Sequence, residues 1–439
     1  MKEKMIEIKE ILYKDSRDLY SDLVSFTGNK YQPVHRWYPL VEGFSSELVR
    51  RIIGEQTKMP EVCLDLFNGV GTTVLACQDL GIKCYGIENS PFFYDVTRAK
   101  LRTDYDPNEF ASLIDEFEEY LFTCNHPHPL PEMETKTLFQ TDKRERWIFN
   151  DPVREGITDI LEKMHALPVS LNKYFNLFKV AIGSHLVAVS NVFRNGKCLS
   201  FKKNWENNII QRKDVHKLFI NHCRNILLVD IRSKINTNSN VHNYVNVFRG
   251  DSRILVENLS DNSIDLVITS PPYLNSRDYT DIYRLELWML GYVSKFVEEK
   301  KLRSSALTSH VQIAVAETLH PNIPELTDFL NHLESIGTLW NKNIPNMVKG
   351  YFSDMESILE KLHPKLKRDA MLYINVSNSA YGNKICEVDT ILAKIAETKG
   401  YEALEIRTAR YINSSKQQAI NSKLRESIIV LKKIDNTLY

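Results

Sequence analysis

The sequence predicts an α/β protein built on a doubly wound, mostly parallel sheet. Short apolar runs of β type recur along the chain, and stretches with helical spacing separate them. Strands that are apolar on both faces are typical of a parallel sheet covered by helices on both sides, and alternation of strands with helices indicates the same fold class. The seven runs are 61–67, 83–88, 244–249, 264–269, 370–375, 401–406 and 426–432.

The first strand–helix–strand unit is the clearest part of this pattern. Strand 61–67 leads into an Asn-Gly-Val-Gly loop at 68–71, and the residues that follow have the composition of a helix ending at Gly81. Glycine is the usual residue just after a helix, because it tolerates the left-handed conformation found there. The next strand, 83–88, follows at once. One complete βαβ unit is therefore predicted here.

The alternation of strands and helices lapses between the second and third strands for about 150 residues. This gap is far longer than an ordinary connection within a domain. We therefore predict an inserted, helix-rich domain over residues 125–240. The α/β domain would comprise 1–124 and 241–439, with a smaller helical insertion at about 292–345.

Charge is unevenly distributed, although 56 Lys+Arg balance 56 Asp+Glu over the whole chain. Two basic and nine acidic residues give 101–140 a net charge of −7, whereas ten basic and three acidic residues give 191–234 a net charge of +7. Basic side chains neutralise phosphates, and the aromatic ones between them can stack or wedge. The basic stretch is thus either a nucleic-acid surface or a solvated helical face. Its candidate DNA contacts are Arg194, Lys197, Lys202, Lys203, Arg212 and Lys213.

Several patterns bear on the compartment and on metals. The seven scattered cysteines contain no C-x-x-C pair, which fits a reducing compartment. The N-terminal stretch is charged and lacks an apolar core, so no signal peptide is expected, and no run approaches the roughly 18 apolar residues of a membrane span. Cys124, His126 and His128 cluster beside prolines without a second ligand pair. We expect a soluble cytoplasmic protein without a membrane partner or a metal site.

The first motif that carries chemistry stands where strand 61–67 meets its helix. Its glycines let the backbone approach a ligand, and the helix N-terminus offers unpaired N–H groups. Glu88 ends the next strand, where a carboxylate can accept hydrogen bonds from ribose hydroxyls. A dinucleotide site would need glycine or alanine at position 74, which is valine. The motif therefore favours an adenosine-type ligand over a dinucleotide or a purely structural turn.

The second motif, Ser-Pro-Pro-Tyr at 270–273, follows strand 264–269 at the edge where open α/β sheets bind ligands. Its prolines cannot donate from their own nitrogens, so the Ser270 hydroxyl and the Pro271 carbonyl remain as acceptors beside the ring of Tyr273. Such a site suits a planar base with an exocyclic amino group. Taken alone, the motif would favour a proline-rich loop instead.

Together the motifs resemble those of the S-adenosylmethionine-dependent DNA amino-methyltransferases, which modify N4 of cytosine or N6 of adenine. The segment 65–73 is similar to the cofactor motif of this family, and 270–273 is similar to its catalytic motif. Glu88 matches the acidic ribose-binding position, and Gly-Asp-Ser-Arg at 250–253 looks like the segment whose aspartate meets the adenine. Weaker similarities lie at His35–Pro39, at 375–384 and at 414–418.

The resemblance implies a class I, Rossmann-like methyltransferase with a seven-stranded, mostly parallel sheet and S-adenosyl-L-methionine as methyl donor. The target base would be flipped out of duplex DNA, stacked on Tyr273, and bonded through its amino group. The residues implied to bind the cofactor are Asp65, Phe67, Gly69, Gly71, Thr72, Glu88 and Asp251. Those implied to act in the reaction are Ser270, Pro271, Pro272 and Tyr273.

The sequence departs from the family pattern in two respects. In amino-methyltransferases with Ser-Pro-Pro-Tyr, the catalytic motif usually precedes the cofactor motif, whereas here it follows. Few residues come after 432, so we expect target recognition to lie in 125–240 rather than in a C-terminal domain. These departures concern the subclass and the borders of the recognition domain rather than the reaction.

Several alternatives remain open at this point. The serine of the motif favours cytosine N4, because adenine enzymes more often begin it with Asp or Asn; adenine N6, an RNA base, or a non-catalytic DNA-binding role are the others. The family also implies a prokaryotic protein at the nucleoid, with or without a cognate restriction endonuclease. Asn275, Asp278 and Tyr279 either line the same pocket or belong to the core.

Overall fold

The computed structural model describes residues 11–126, 132–141, 145–195, 198–234, 243–274, 277–313, 319–336, 339–413 and 422–434. Four of the features singled out above lie outside these ranges: Lys197, Asn275, His128 and the segment 414–418.

All seven predicted strands are present in the described residues, with one more at the sheet edge. A main sheet of eight strands and two small hairpins account for every strand described. The strands are β1 (Leu12–Asp15), β2 (Val62–Asp65), β3 (Lys83–Glu88), β4 (Val192–Arg194), β5 (Leu199–Phe201), β6 (Val247–Arg249), β7 (Ile264–Thr269), β8 (Leu366–Ser377), β9 (Ser379–Tyr381), β10 (Lys384–Cys386), β11 (Tyr401–Asn413) and β12 (Lys423–Lys433).

Helices fill the intervals between the strands. Prolines stand in the first turn of five of them, where the missing N–H would have no partner inside the helix. The α-helices are α1 (Arg17–Tyr20), α2 (Ser46–Gly54), α3 (Thr72–Asp79), α4 (Pro91–Leu101), α5 (Pro107–Thr123), α6 (Asp151–His165), α7 (Asn172–Gly183), α8 (Leu186–Val189), α9 (Arg212–His222), α10 (Leu228–Lys234), α11 (Ser252–Leu255), α12 (Tyr279–Ile282), α13 (Arg284–Met289), α14 (Phe296–Ser304), α15 (Pro324–Ser335), α16 (Ile344–Leu362) and α17 (Val388–Thr398).

The main sheet has the strand order β1-β11-β12-β8-β7-β2-β3-β6. Strand β12 runs antiparallel to both of its neighbours, β11 and β8, and every other pair in this sheet is parallel. The mostly parallel sheet is therefore confirmed. The expected number of seven strands was too low by one, because the edge strand β1 pairs with β11.

Two apolar cores cover the two faces of the sheet. Because successive side chains of a strand point to opposite faces, Cys63 of β2 belongs to one core and Leu64 to the other. The core around Leu64 is closed by helices α15, α16 and α17. The core around Cys63 is closed by α2, α3 and α4, and it continues without a break into the apolar residues of the insert.

The insert is helix-rich, as expected, and its helices pack on α5. The Phe117 ring of α5 lies 4.4 Å from that of Phe178 in α7 and 5.6 Å from that of Phe219 in α9, measured between ring centroids. Thus α5, which the sequence places before the insert, packs against its helices. The second predicted insertion contains α14 and α15. In the described part of the chain, no helix is long and apolar enough to span a membrane.

Candidate active site

The predicted motifs meet at one edge of the sheet. Strands β2, β3, β6 and β7 run parallel, so the loop after β2, the end of β3 and the segments after β6 and β7 all come to the same side. They surround a cavity that opens to solvent. Predicted residues that line it are Phe67, Gly69, Glu88, Asp251, Ser270 and Pro272.

The glycine loop after β2 takes its shape from two left-handed residues. Gly69 has φ +53° and Gly71 has φ +85°, and a Cβ added at Gly71 would lie 2.8 Å from Cγ2 of Thr97. Only glycine meets both demands at position 71. Gly69 lines the cavity. Gly71 precedes α3, and the buried Thr72 accepts a hydrogen bond from Asn29, so these two residues shape the loop from behind.

Asp65 is not among the residues that line the cavity, and it lies buried behind the glycine loop. Its carboxylate is buried, and it accepts hydrogen bonds from the hydroxyls of Thr73 (2.6 Å) and Thr269 (2.7 Å) and from the N–H of Phe67 (3.1 Å). These partners belong to α3, to β7 and to the loop. Asp65 therefore positions the glycine loop against β7, the strand that Ser270 follows.

Glu88 is a buried carboxylate on the cavity wall. One oxygen accepts from the Gly69 N–H at 2.6 Å and the other from the Ser90 N–H at 2.7 Å. Burial raises the pKa of Glu88 to about 8, and it outweighs the two N–H donors, which lower the pKa. Glu88 thus fixes the glycine loop and keeps lone pairs for a ligand in the cavity.

With Glu88 in its predicted place at the cofactor ribose, this pKa would make cofactor binding depend on pH. Protonated Glu88 predominates below about pH 8 and is the poorer acceptor for two ribose hydroxyls. We expect the dissociation constant for S-adenosylhomocysteine to fall with rising pH, by up to about tenfold per unit below pH 8, and to level off above it. Isothermal titration calorimetry from pH 6 to 9 measures this. Glu88→Gln should bind more weakly and without the pH dependence, and a flat wild-type profile would contradict the assignment.

Asp251 lines the same cavity from the end of β6. It caps α11, accepting from the Arg253 backbone N–H at 2.9 Å, and its carboxylate is paired with the Arg253 guanidinium, whose Nη2 lies 2.7 Å away. Arg253 also reaches Asp354 at 2.9 Å. Asp251 is therefore held in place beside the cavity by both the main chain and the guanidinium of Arg253.

Ser270 lies where two cavities meet. It lines the cavity described above, our candidate cofactor cavity, together with Glu42 and Tyr279. The same three residues also line a second cavity. The Ser270 hydroxyl donates to the main-chain oxygen of Asn375 at 3.1 Å. Since a hydroxyl has a single proton, the Ser270 oxygen faces other partners as an acceptor only. The second cavity is further lined by Val24, Ser25, Val41, Gly43, Pro271, Tyr273, Arg277, Asn375, Arg410, Ile412 and Glu426.

Comparisons with known proteins indicate which family this chain resembles. Residues 18–99, which include the glycine loop and Glu88, match the family model of the N6/N4 DNA methylases. The Type II methyltransferase M.AvaI of Nostoc sp. is 27% identical over 461 residues, covering 96% of this chain and 92% of that protein. M.BsoBI, a Type II methyltransferase of Geobacillus stearothermophilus, is 28% identical over 480 residues, covering 98% and 91%.

These similarities support an S-adenosylmethionine-dependent DNA amino-methyltransferase. Its methyl donor is therefore S-adenosyl-L-methionine. Among solved structures, the rRNA methyltransferase aviRa of Streptomyces viridochromogenes aligns with 94% of this chain and 89% of its own, at 9% identity and a TM-score of 0.28. The fold assignment does not depend on that weak alignment. The parallel sheet with one reversed strand and helices on both faces is itself the Rossmann-like methyltransferase architecture.

Three of the basic residues predicted to contact DNA have partners inside the methyltransferase. Arg194 forms a buried ion pair with Glu286, and Arg212 pairs with Asp159 at 2.6 Å. The Lys202 ammonium donates to three main-chain oxygens at the end of α8, those of residues 187, 188 and 190. Two candidates remain exposed, Lys203 and Lys213.

Lys202 and Lys203 are neighbours in the sequence, but Lys202 is bonded to the main chain and Lys203 is exposed. We expect Lys203→Ala to reduce the magnitude of the slope of log K for DNA binding against log salt concentration. The reduction should be up to about 0.9, the value for one phosphate contact on B-DNA. Lys202→Ala removes a cap on α8 instead, so it should lower stability and leave the salt slope unchanged. Fluorescence anisotropy with duplex DNA from 50 to 200 mM salt measures both. Equal slopes for Lys203→Ala and the wild type would contradict a phosphate contact at Lys203.

The His35–Pro39 segment lies between the insert and the cofactor loop of the methyltransferase. The buried Asp230 of α10 accepts from the N–H of Val34 (2.8 Å), from Trp37 Nε1 (3.0 Å) and from Arg36 Nη2 (2.6 Å). On the other side the hydroxyl of Tyr38 donates to Glu286 at 2.7 Å, and Arg194 pairs with the same carboxylate. The insert therefore helps to hold this segment in place.

Local motifs do not single out Lys100, Glu42 or residues 305–307, which surround the methyltransferase site. Lys100 is buried, and its ammonium donates to the main-chain oxygens of Val70 and His35, both at 3.2 Å, which joins the cofactor loop to the His35–Pro39 segment. Burial lowers the pKa of Lys100 to about 7. Glu42 stands between the cavities. Residues 305–307, just after α14, line the cofactor cavity, and so do Asp278 and Tyr279, for which core positions were the alternative.

Proposed function

We propose that this methyltransferase transfers a methyl group from S-adenosylmethionine to the exocyclic amino group of a flipped DNA base, cytosine N4 in the first place. One observation carries the proposal: Ser270 lines both the cofactor cavity and the second cavity. A group bound in the second cavity would meet the cofactor at the Ser270 oxygen. The second cavity is thus our candidate for the base pocket.

The residues of the first cavity suit the cofactor. S-adenosylmethionine supplies an electrophilic methyl group on a sulfonium. Glu88 and Asp251 are carboxylates on the ends of β3 and β6, and they would accept from the ribose hydroxyls and from the adenine amino group. Gly69 allows the chain to pass close to the ligand, since it carries no side chain.

Ser270 and Pro271 would prepare the amino group for transfer. The Ser270 proton is engaged by Asn375, so its oxygen can accept one amino N–H, and the Pro271 carbonyl can accept the other. These bonds draw the nitrogen lone pair out of conjugation with the ring and direct it towards the cofactor cavity. The new nitrogen–carbon bond forms as the sulfur–carbon bond breaks, and the nitrogen then releases one proton. Positioning provides most of the rate in such a transfer.

The base must leave the duplex before it can reach Ser270. Flipping costs a few kcal/mol, which contacts in the pocket have to offset. The Tyr273 ring lines the second cavity and would stack on the base. The exposed Lys203 and Lys213 would bind phosphates nearby, as part of recognition by the insert.

The choice of cytosine rests on Ser270, since the family resemblance associates serine at this position with N4 and Asp or Asn with N6. M.AvaI and M.BsoBI are Type II methyltransferases, which supports a role beside a cognate restriction endonuclease.

A methylome measurement tests the proposal. DNA from a host expressing this chain, read by single-molecule sequencing and nucleoside mass spectrometry, should contain N4-methylcytosine in one sequence context. Detection of N6-methyladenine instead would show that the target base is adenine and would leave the proposed transfer to an exocyclic amino group unchanged. Purified protein with tritiated cofactor should label duplex DNA. Label in structured RNA alone would overturn the proposal, and cofactor binding without label in either nucleic acid would indicate a non-catalytic protein.

A further inference from the structure

We propose that Glu426 is a positioning residue that fixes the Tyr273 ring in the base pocket through the tyrosine hydroxyl. The inference rests on the proposed function, because it assigns Tyr273 to the target base. It goes beyond the Ser-Pro-Pro-Tyr motif itself, since Glu426 lies on β12, far from that motif in the sequence.

Two hydrogen bonds join the hydroxyl of Tyr273 to strands β12 and β8. It donates to Glu426 Oε1 at 2.7 Å and accepts from Asn375 Nδ2 at 2.8 Å. Since a carboxylate can only accept, the hydroxyl proton must point to Glu426, and Asn375 must then present its NH2 group to the tyrosine oxygen. The chemistry of the three groups thus determines the direction of both bonds and leaves the hydroxyl one orientation.

The carboxylate of Glu426 is itself held from the other side. It is 2% exposed, and its second oxygen is bonded to Arg410 Nε at 2.6 Å. Arg410 and Glu426 are directly opposite each other on β11 and β12, and a bulge between Thr408 and Arg410 shifts the register just before the pair. A bulge can turn a side chain out of its regular alternation. Arg410 therefore compensates a buried charge that would otherwise be costly.

Both ends of the catalytic motif are fastened to one residue of β8. The main-chain oxygen of Asn375 accepts from the Ser270 hydroxyl, and its side chain donates to Tyr273. Prolines 271 and 272 cannot donate from their nitrogens, so the loop lacks two of the backbone bonds that usually stiffen a turn. The contacts to Asn375 and Glu426 supply this stiffness from the sheet.

Stacking alone needs only an aromatic ring, and the motif allows Phe or Trp at this position in the family. In this chain the hydroxyl adds an attachment to Glu426 that sets the ring plane relative to Ser270. Misplacement of a reacting group by 1 Å can cost about 100-fold in rate. Loss of the attachment should therefore slow the transfer and leave cofactor binding unchanged.

The experiment compares Tyr273→Phe, Glu426→Gln and the double variant of the full chain. Tyr273→Phe removes one oxygen atom and keeps the ring, so it covers the case in which Glu426→Gln fails to fold. We expect each single variant to lower kcat by about 10- to 100-fold at saturating duplex DNA. The kcat of the double variant should be no more than about twofold lower than that of the less active single variant. Both substitutions remove the same attachment, so their effects should not multiply.

Asp389→Asn is the matched control. Asp389 is a buried carboxylate paired with Arg425 of β12 at 2.8 Å, and it makes no contact with the motif among the hydrogen bonds of the described residues. It should lower stability and leave kcat of the folded enzyme unchanged. A merely structural role for Glu426 would give the same result for Glu426→Gln, and this outcome would overturn the inference, as would multiplicative effects in the double variant.

A measurement without DNA separates this inference from the proposed function. Hydrogen exchange followed by mass spectrometry should show faster exchange at residues 273–274 in both single variants, whatever the substrate of the enzyme is. Unchanged exchange in Glu426→Gln would overturn the anchoring. A wild-type enzyme that labels no DNA would overturn the proposed function instead, while the exchange result would still decide the attachment of Tyr273.

Discussion

Replacing Ser270 by alanine is expected to lower kcat for DNA methylation by at least about 100-fold, the usual scale for one group that stabilises a transition state. The alanine removes the oxygen that lines both cavities and that would accept an amino proton of the base. Cofactor affinity should stay within about twofold, since Glu88 and Asp251 are untouched. Transfer of tritium from the cofactor to duplex DNA measures kcat, and calorimetry with S-adenosylhomocysteine measures affinity.

Ser263→Ala is the matched control for this experiment. Ser263 precedes the same strand, β7, that Ser270 follows, and its hydroxyl bonds only to the main chain of Ser260 among the hydrogen bonds described. Its kcat should equal that of the wild type. Full methylation by Ser270→Ala at saturating cofactor would refute the role given to the motif.

The second large effect concerns stability. Arg194→Ala should lower the free energy of unfolding by about 3–5 kcal/mol, the usual cost of removing one partner of a buried ion pair. Glu286 is 0% exposed, and its carboxylate would keep only the Tyr38 hydroxyl of its two partners. The Arg194 guanidinium also lies 4.5 Å from the centre of the Tyr283 ring, and this contact would be lost as well. Urea denaturation measures the change.

Arg224→Ala provides the comparison with an exposed pair of the same insert. Arg224 bonds to Asp115 and Glu118 on the surface of α5, where an ion pair contributes about 0–1 kcal/mol.

The salt dependence of DNA binding decides whether Arg194 acts as an internal ion-pair partner or as a phosphate contact. We expect Arg194→Ala to keep the wild-type slope in the folded protein. A stable variant with a flatter slope would restore Arg194 as a phosphate contact.

The sheet and the cofactor loop could be predicted because their signals are local. Each predicted strand is a short, mainly apolar run, and the left-handed turn at 69–71 requires glycine within three residues of sequence. The same holds for Glu88 and for the Ser-Pro-Pro-Tyr motif, which follow directly after strands. In such places a few neighbouring residues determine both the structure and the group that is presented.

The supporting residues could not be predicted because their partners are distant in the sequence. Tyr273 and Glu426 are 153 residues apart, and Arg194 and Glu286 are 92 apart. A basic residue in the sequence does not show whether a carboxylate will meet it after folding. For this reason the sequence shows that 191–234 is basic but does not show that Arg194 and Arg212 within it are paired inside the protein.

The continuous core between the sheet and the insert has a consequence for evolution and for engineering. A recognition module with its own core can be exchanged between relatives as a cassette. Here the apolar residues of the insert share one core with α3 and α4, and Asp230 and Arg194 lock it to the His35–Pro39 segment. With the insert as the proposed recognition domain, a change of target sequence would arise by substitutions on its exposed surface. A chimera joined at the borders of the insert would need the sheet domain of the same parent, because the two parts share one core.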